Sequence, residues 1–190
     1  MSETEWPRLS SAVVSDAPIS PYPPDLPDDA EPATELADLE DVTASDADWA
    51  NTSASGLVVR RVELRSCRLT GAELRESTFV DVGFDGCRLD LTGLRRVTME
   101  RVVFRDCRMQ ETDLTAATLK DVLFERCDLQ RAVFRELQLT RVELPRCALD
   151  GIEGAEALRG ARMTWRDVVE HGHVFAAALG IEIVDEDEPT

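Results

Sequence analysis

The stretch CRMQETDLTAATLKDVLFERC, residues 107–127, holds the reading that decides the fold. It begins and ends on cysteine, and its large apolar residues Met109, Leu114, Leu119 and Phe124 stand five apart. Two residues before each lies something small or β-branched: Cys107, Thr112, Ala117 and Val122. The frame extends in both directions, with Cys67, Cys87, Cys107, Cys127 and Cys147 twenty residues apart and Leu, Phe or Met at every fifth position from Leu64 to Leu149. Such self-similarity takes precedence over any local reading. A period of five matches neither the ~3.6 of a helix nor the ~2 of a strand. A chain that turns a corner every five residues and closes a square every twenty satisfies it.

Sorting the small positions by twenties gives separable columns. One reads Val62, Val82, Val102, Val122 and Val142; the next is the cysteine column; a third reads Ala72, Thr92, Thr112 and Ala132. The pattern resembles the pentapeptide-repeat family, most closely at Thr112-Asp113-Leu114, Cys127-Asp128-Leu129 and Ala72-Glu73-Leu74. The resemblance implies an all-β fold, a right-handed quadrilateral (four-sided) β-helix solenoid, with the central Leu/Phe and the small residue both facing inward. The chain departs from the family motif in preferring Val and Cys to Ala at the small position, and Glu or Arg where Asp or Asn is usual.

Three regions follow. Residues 1–36 form an acidic arm with seven of the nine prolines, read as irregular, either solvated or laid along the coil through Trp6 or Tyr22. The coil is placed over 37–154 and is most regular over 57–154. Residues 155–190 are read as a C-terminal cap with one helix over about 165–179. Thr164 and Asp167 supply its start, Gly180 its stop, and Val168, Val169, Phe175 and Leu179 an apolar face that seals the last coil. Trp165 belongs to the same cap, which the resemblance also makes a homodimer interface. Ile181–Val184 is expected as a short strand before the acidic run Asp185–Glu188.

The net charge of −17 is unevenly spread. Residues 57–154 carry seventeen Arg/Lys against seventeen Asp/Glu, so the acidity belongs to the ends. An odd number of cysteines and an acidic start point to the cytoplasm, and no apolar run is long enough to span a membrane. The cysteine column reads as core filler, because stacked side chains sit ~4.8 Å apart and a disulfide wants Cβ atoms ~3.8 Å apart. His171 and His173, two apart on one helix, point in different directions, so no metal site is read there. No cofactor motif and no catalytic constellation appears, and the chain is read as a non-enzyme.

Two charge ladders, Arg61-Asp81-Arg101-Asp121-Arg141 and Arg65-Asp85-Arg105-Glu125, alternate in sign up the wall and read as structural pairs. Arg68, Arg88 and Arg108 instead stack like on like. Either they face an anionic partner, or Asp85, Asp90 and Asp106 neutralise them. Val103 and Leu123 are expected as an outward apolar patch. The function read from these features is a non-catalytic scaffold presenting rigid faces to a protein partner. The resemblance implies an alternative, a DNA mimic that binds DNA gyrase or topoisomerase IV and protects against quinolones. Mimicry needs continuous negative potential along the coil, which a neutral wall does not supply. Direct nucleic-acid binding through the arginine stripe is disfavoured by the overall acidity.

Overall fold

The computed structural model describes residues 31–32 and 36–184. The rest of the Pro-rich arm and the acidic run after Val184 lie outside the described residues. Seven strands stack in sequence order into one parallel sheet: β1 (Glu31–Pro32), β2 (Leu39–Ser45), β3 (Val58–Arg65), β4 (Thr78–Asp85), β5 (Thr98–Arg105), β6 (Thr118–Glu125) and β7 (Gln138–Glu143). From β2 to β7 each residue pairs with the one twenty further on, so Val62, Val82, Val102, Val122 and Val142 form one vertical row. Single bridges, such as Arg68↔Arg88 and Glu73↔Gly93, carry the remaining two sides. The result is a four-sided solenoid whose coils stack at about ~4.8 Å.

Its corners are paid for in backbone strain. Every fifth residue from Asp41 to Gly151 has positive φ, and nineteen of these are not glycine. The left-handed region costs an ordinary L-residue roughly 1–2 kcal/mol, less for Asp or Asn. From Leu64 to Leu149 each side also carries one inward Leu, Phe or Met, contributing roughly 1.5–3 kcal/mol when buried. The buried residue therefore outweighs the corner beside it, which is why apolar residues recur without a gap.

Two inward positions per side fill the interior. Phe84, Phe104 and Phe124 stack with ring centroids 4.6 and 5.0 Å apart, tilted by 11° and 4°. The small positions also cap carbonyls from the preceding coil. Thr92 Oγ1 donates to Leu69 O at 2.9 Å and Thr112 Oγ1 to Leu89 O at 2.8 Å. The cysteines repeat this geometry with a weaker donor: Cys87 Sγ lies 3.3 Å from Leu64 O and Cys107 Sγ 3.5 Å from Phe84 O. All five thiols are free and buried. A neighbouring thiol in the stack, with burial behind it, pushes Cys67, Cys107 and Cys147 upward from the ordinary thiol range, and the same contacts push Cys87 and Cys127 down.

Charged corners pair between coils two by two. Arg61 binds Asp41, Arg101 Nε reaches Asp81 Oδ1 at 2.5 Å, and Arg141 binds Asp121. These hydrogen bonds hold the Asp41 carboxyl below its ordinary range, as Arg126 does for Asp106. The second expected ladder is only partly realised. Arg105 reaches Glu125 at 3.3 Å, while Arg65 turns to Glu63 on its own strand at 2.7 Å.

The coil ends by closing one residue early, Glu143 bridging Arg162, with a 3-10 turn at Ala155–Leu158. Two short helices follow, α1 (Trp165–Glu170) and α2 (Gly172–Ala178), where one helix over 165–179 was expected. His171 breaks the helix: its ring is tied to the last coil and the following Gly172 is a poor helix former. Leu91 is a corner with φ 59°, 57% exposed, in a column with Gly71 and Gly151. Leu91→Gly should stabilise the chain by about 0.5–1 kcal/mol in urea melts. Gly154→Ala should destabilise it by about 1–3 kcal/mol, since φ is 79° and a Cβ would meet Arg135 N at 2.8 Å. Opposite signs would contradict the corner account. Cys107→Ala should cost about 1–2 kcal/mol in packing, and the native chain should leave its thiols unreactive to a disulfide reagent until it unfolds.

Candidate interaction surfaces

The arginine stripe lies where the column pattern puts it. Arg68, Arg88 and Arg108 are exposed and bridged in succession up one side. Arg68 reaches Asp48 at 3.2 Å and Arg108 reaches Asp90 at 3.4 Å, both solvent-exposed arginines that gain little from such pairs. Asp106 is committed to Arg126 at 2.7 Å. Arg88 has no ion-pair partner among the described residues. Local neutralisation is thus incomplete at the middle of the stripe.

Val103 and Leu123 do not form the expected surface patch. They stack in register on the outward side of β5 and β6, yet each is only 6% exposed. Arg105 and Glu125, in the adjacent outward column, are themselves only 21% and 18% exposed, as long side chains are when laid against apolar surface. The pair is a second, external packing strip.

The cap reverses part of the expected helix face. Asp167, His171 and Val174 are buried and Phe175 packs against the core, a one-sided helical spacing. Trp165 (80% exposed), Val169 (62%) and Leu179 (69%) face outward instead, with Val168 partly exposed beside them. Ile181, Ile183 and Val184 follow, exposed and outside any strand. Val168, Phe175 and Leu179 also border an apolar groove of about 610 Å³ against Leu158 and Met163. The solenoid wall, by contrast, exposes only Val58 and Leu91 among its large apolar residues. The side chains that decide the cap, Asp167 and His171, are polar, and an apolar pattern does not find them.

Asp167 fastens the cap. Its carboxylate accepts from Thr164 N (3.1 Å), Thr164 Oγ1 (2.6 Å) and the backbone N of Arg146 on the last coil (3.1 Å). Burial alone would raise its pKa, but the hydrogen bonds from Thr164 and Arg146 together hold it below the ordinary range. Its folded-state pKa being lowered, its stabilisation is present above the unfolded value of ~3.9 and is lost as the pH falls through the lowered one. Amide exchange over 164–179 should therefore accelerate as pH drops below about 4 relative to the β3–β6 amides, after correction for intrinsic rates. Asp167→Ala should release the cap at neutral pH, costing about 1–3 kcal/mol. Equal protection in cap and coil at every pH would contradict this role.

Residues 77–153 match the family described as a pentapeptide repeat region. That span carries the family's repeat, and the same twenty-residue register continues outside it, as in Leu39↔Val59. Among solved structures it is similar to a trypsin-treated variant of QnrB1, a plasmid-mediated fluoroquinolone resistance protein. The identity is 16%, the match covers 76% of this chain and 88% of that one, and the TM-score is 0.31. It is also similar to a pentapeptide repeat protein from the Arabidopsis thaliana thylakoid lumen, at 16% identity, 67% and 72% coverage and TM-score 0.27. Rfr23 from the cyanobacterium Cyanothece 51142 follows at 17% identity, 66% and 65% coverage and TM-score 0.22. No curated protein sequence matches the chain. Among the described residues no helix is long and apolar enough to cross a membrane.

Proposed function

We propose that this chain is a non-catalytic interaction rod that docks through its C-terminal cap and offers the Arg68–Arg88–Arg108 stripe to an anionic protein surface. The observation that carries the reading is where apolar surface is exposed. The wall is closed by paired charges, whereas Trp165, Val169, Leu179, Ile181, Ile183 and Val184 are gathered after the last coil. Patches of this kind on an otherwise polar protein mark contact sites. Trp165 is of the residue type that anchors interfaces. A second copy of the chain is the occupant we assign to the cap, since a two-fold dimer covers the same patch on both partners. The five free thiols suit a reducing compartment such as the cytoplasm.

The gyrase-mimic reading is not favoured by the wall. The corner carboxylates Asp41, Asp81, Asp106 and Asp121 are each bound by an arginine, so the coil lacks an uninterrupted run of free negative charge. Light scattering on the purified chain at micromolar concentration should give a dimer mass. The double variant Trp165→Glu, Val169→Glu should give a monomer with an unchanged circular dichroism spectrum. A monomer at every concentration would remove the dimer. Inhibition of DNA gyrase supercoiling by micromolar chain would overturn the ranking of the two readings.

A further inference from the structure

His171 is the one buried imidazole among the described residues, and half of it is unaccounted for. Its side chain is 4% exposed. The Nε2–H donates to the carbonyl of Cys147 at 2.8 Å, which leaves Nδ1 as the nitrogen that can meet a ligand. That Nδ1 is buried and has no hydrogen-bond partner. Buried polar atoms are nearly always satisfied, and an orphan of this kind calls for an explanation, whether a water, an ion or a functional role. Nδ1 lies 3.8 Å from Asp150 Oδ1, and His173 Nε2 approaches the same oxygen at 3.4 Å. The break at His171 is what allows this, because on an unbroken helix the two rings diverge.

We propose that Asp150, His171 and His173 form a binding site for a divalent ion of the zinc class, which pins the cap helices to the last coil. The inference goes beyond the interaction reading and does not depend on it. A neutral imidazole whose other nitrogen is held by a backbone carbonyl is the form that zinc-binding histidines take. Two nitrogens and one carboxylate oxygen suit zinc, cobalt or nickel better than calcium or magnesium. Among the described residues no three donors already surround one point, so the ion must draw them together. Asp150 Oδ1 already stands near both nitrogens. Donors at ~2.0–2.1 Å around a tetrahedral ion stand about 3.3 Å from one another, against 3.4 and 3.8 Å here. His171 is the fixed donor; His173 and Asp150, 55% and 56% exposed, are the arms that move. Water takes the remaining position.

The test uses the untagged full-length chain titrated with zinc chloride and, separately, cobalt chloride. Micromolar zinc should raise the melting midpoint, and cobalt should give the visible absorption of a four-coordinate nitrogen and oxygen site. Affinity should fall about ten-fold or more in His173→Ala and in Asp150→Asn, both surface changes that leave the coil's circular dichroism intact. His171→Gln should lose binding as well. No response up to millimolar zinc overturns the proposal and leaves Nδ1 to a buried water. An equal response in the His173 and Asp150 variants, or a sulfur-to-cobalt absorption band, also overturns it, by placing the ion elsewhere.

Discussion

No side of this solenoid is long enough to satisfy its own backbone. Each is five residues, and most of its amides and carbonyls look up and down to the neighbouring coils: Leu69 N donates to Arg88 O at 2.7 Å while Arg88 N donates to Cys67 O at 2.9 Å. A helix or a hairpin can form locally and then pack. Here local structure depends on coil-to-coil contact, because the local backbone bonds are single corner turns, such as Ala72 N to Leu69 O at 2.9 Å, too few to offset the ordering of a side. Stability is therefore a sum of coil-on-coil interfaces, each dependent on its neighbours. The columns of identical side chains are the consequence. Val packs on Val, Phe on Phe and Cys on Cys because register fixes what each residue meets.

The same constraint explains the surface and the ends. Charges at the left-handed corners cannot choose partners along the chain, so they find them one coil away, as Arg126 does at Asp106 and Arg131 at Glu111. A terminal coil has no neighbour on one side and exposes strand edges, the usual origin of unwanted pairing. At the C-terminal end Arg162 continues the sheet beyond β7 and the helices, fastened by Asp167 and His171, sit against the last coil. The cap is tied on by polar contacts together with Val174 and Phe175, and leaves Trp165, Val169 and Leu179 outward. That combination makes the end both a closure and a contact surface.

The solenoid was legible because its signal is redundant: eighteen consecutive inward Leu, Phe or Met positions from Leu64 to Leu149 report the same period. Gly180 as the helix stop and the Thr164–Asp167 capping box were legible for the same kind of reason, a local rule with a local cause. What was not legible depended on contacts between distant residues. Val103 and Leu123 read as exposed because they occupy outward slots, yet Arg105 and Glu125 beside them lie low against the wall. His171 reads as an ordinary helix residue until its hydrogen bond to Cys147, twenty-four residues earlier, is seen. The burial of Asp167 and Val174 in place of Val169 and Leu179 follows from that same anchor.

The central claim is that the structural unit is a twenty-residue coil and that five-residue sides have no independent standing. Two deletions compare these units directly. Removing residues 97–116 takes out one full coil and rejoins Arg96 to Ala117, a side that begins in the same column as Val97. Removing 97–101 takes out one side and shifts every later column by a quarter turn. Thermal unfolding followed by far-ultraviolet circular dichroism should show the first variant folded and cooperative, with a lower midpoint. The second should lose cooperative unfolding or most of its β signal. Two deletions of equal effect, or a five-residue deletion that is the better tolerated, would contradict the account.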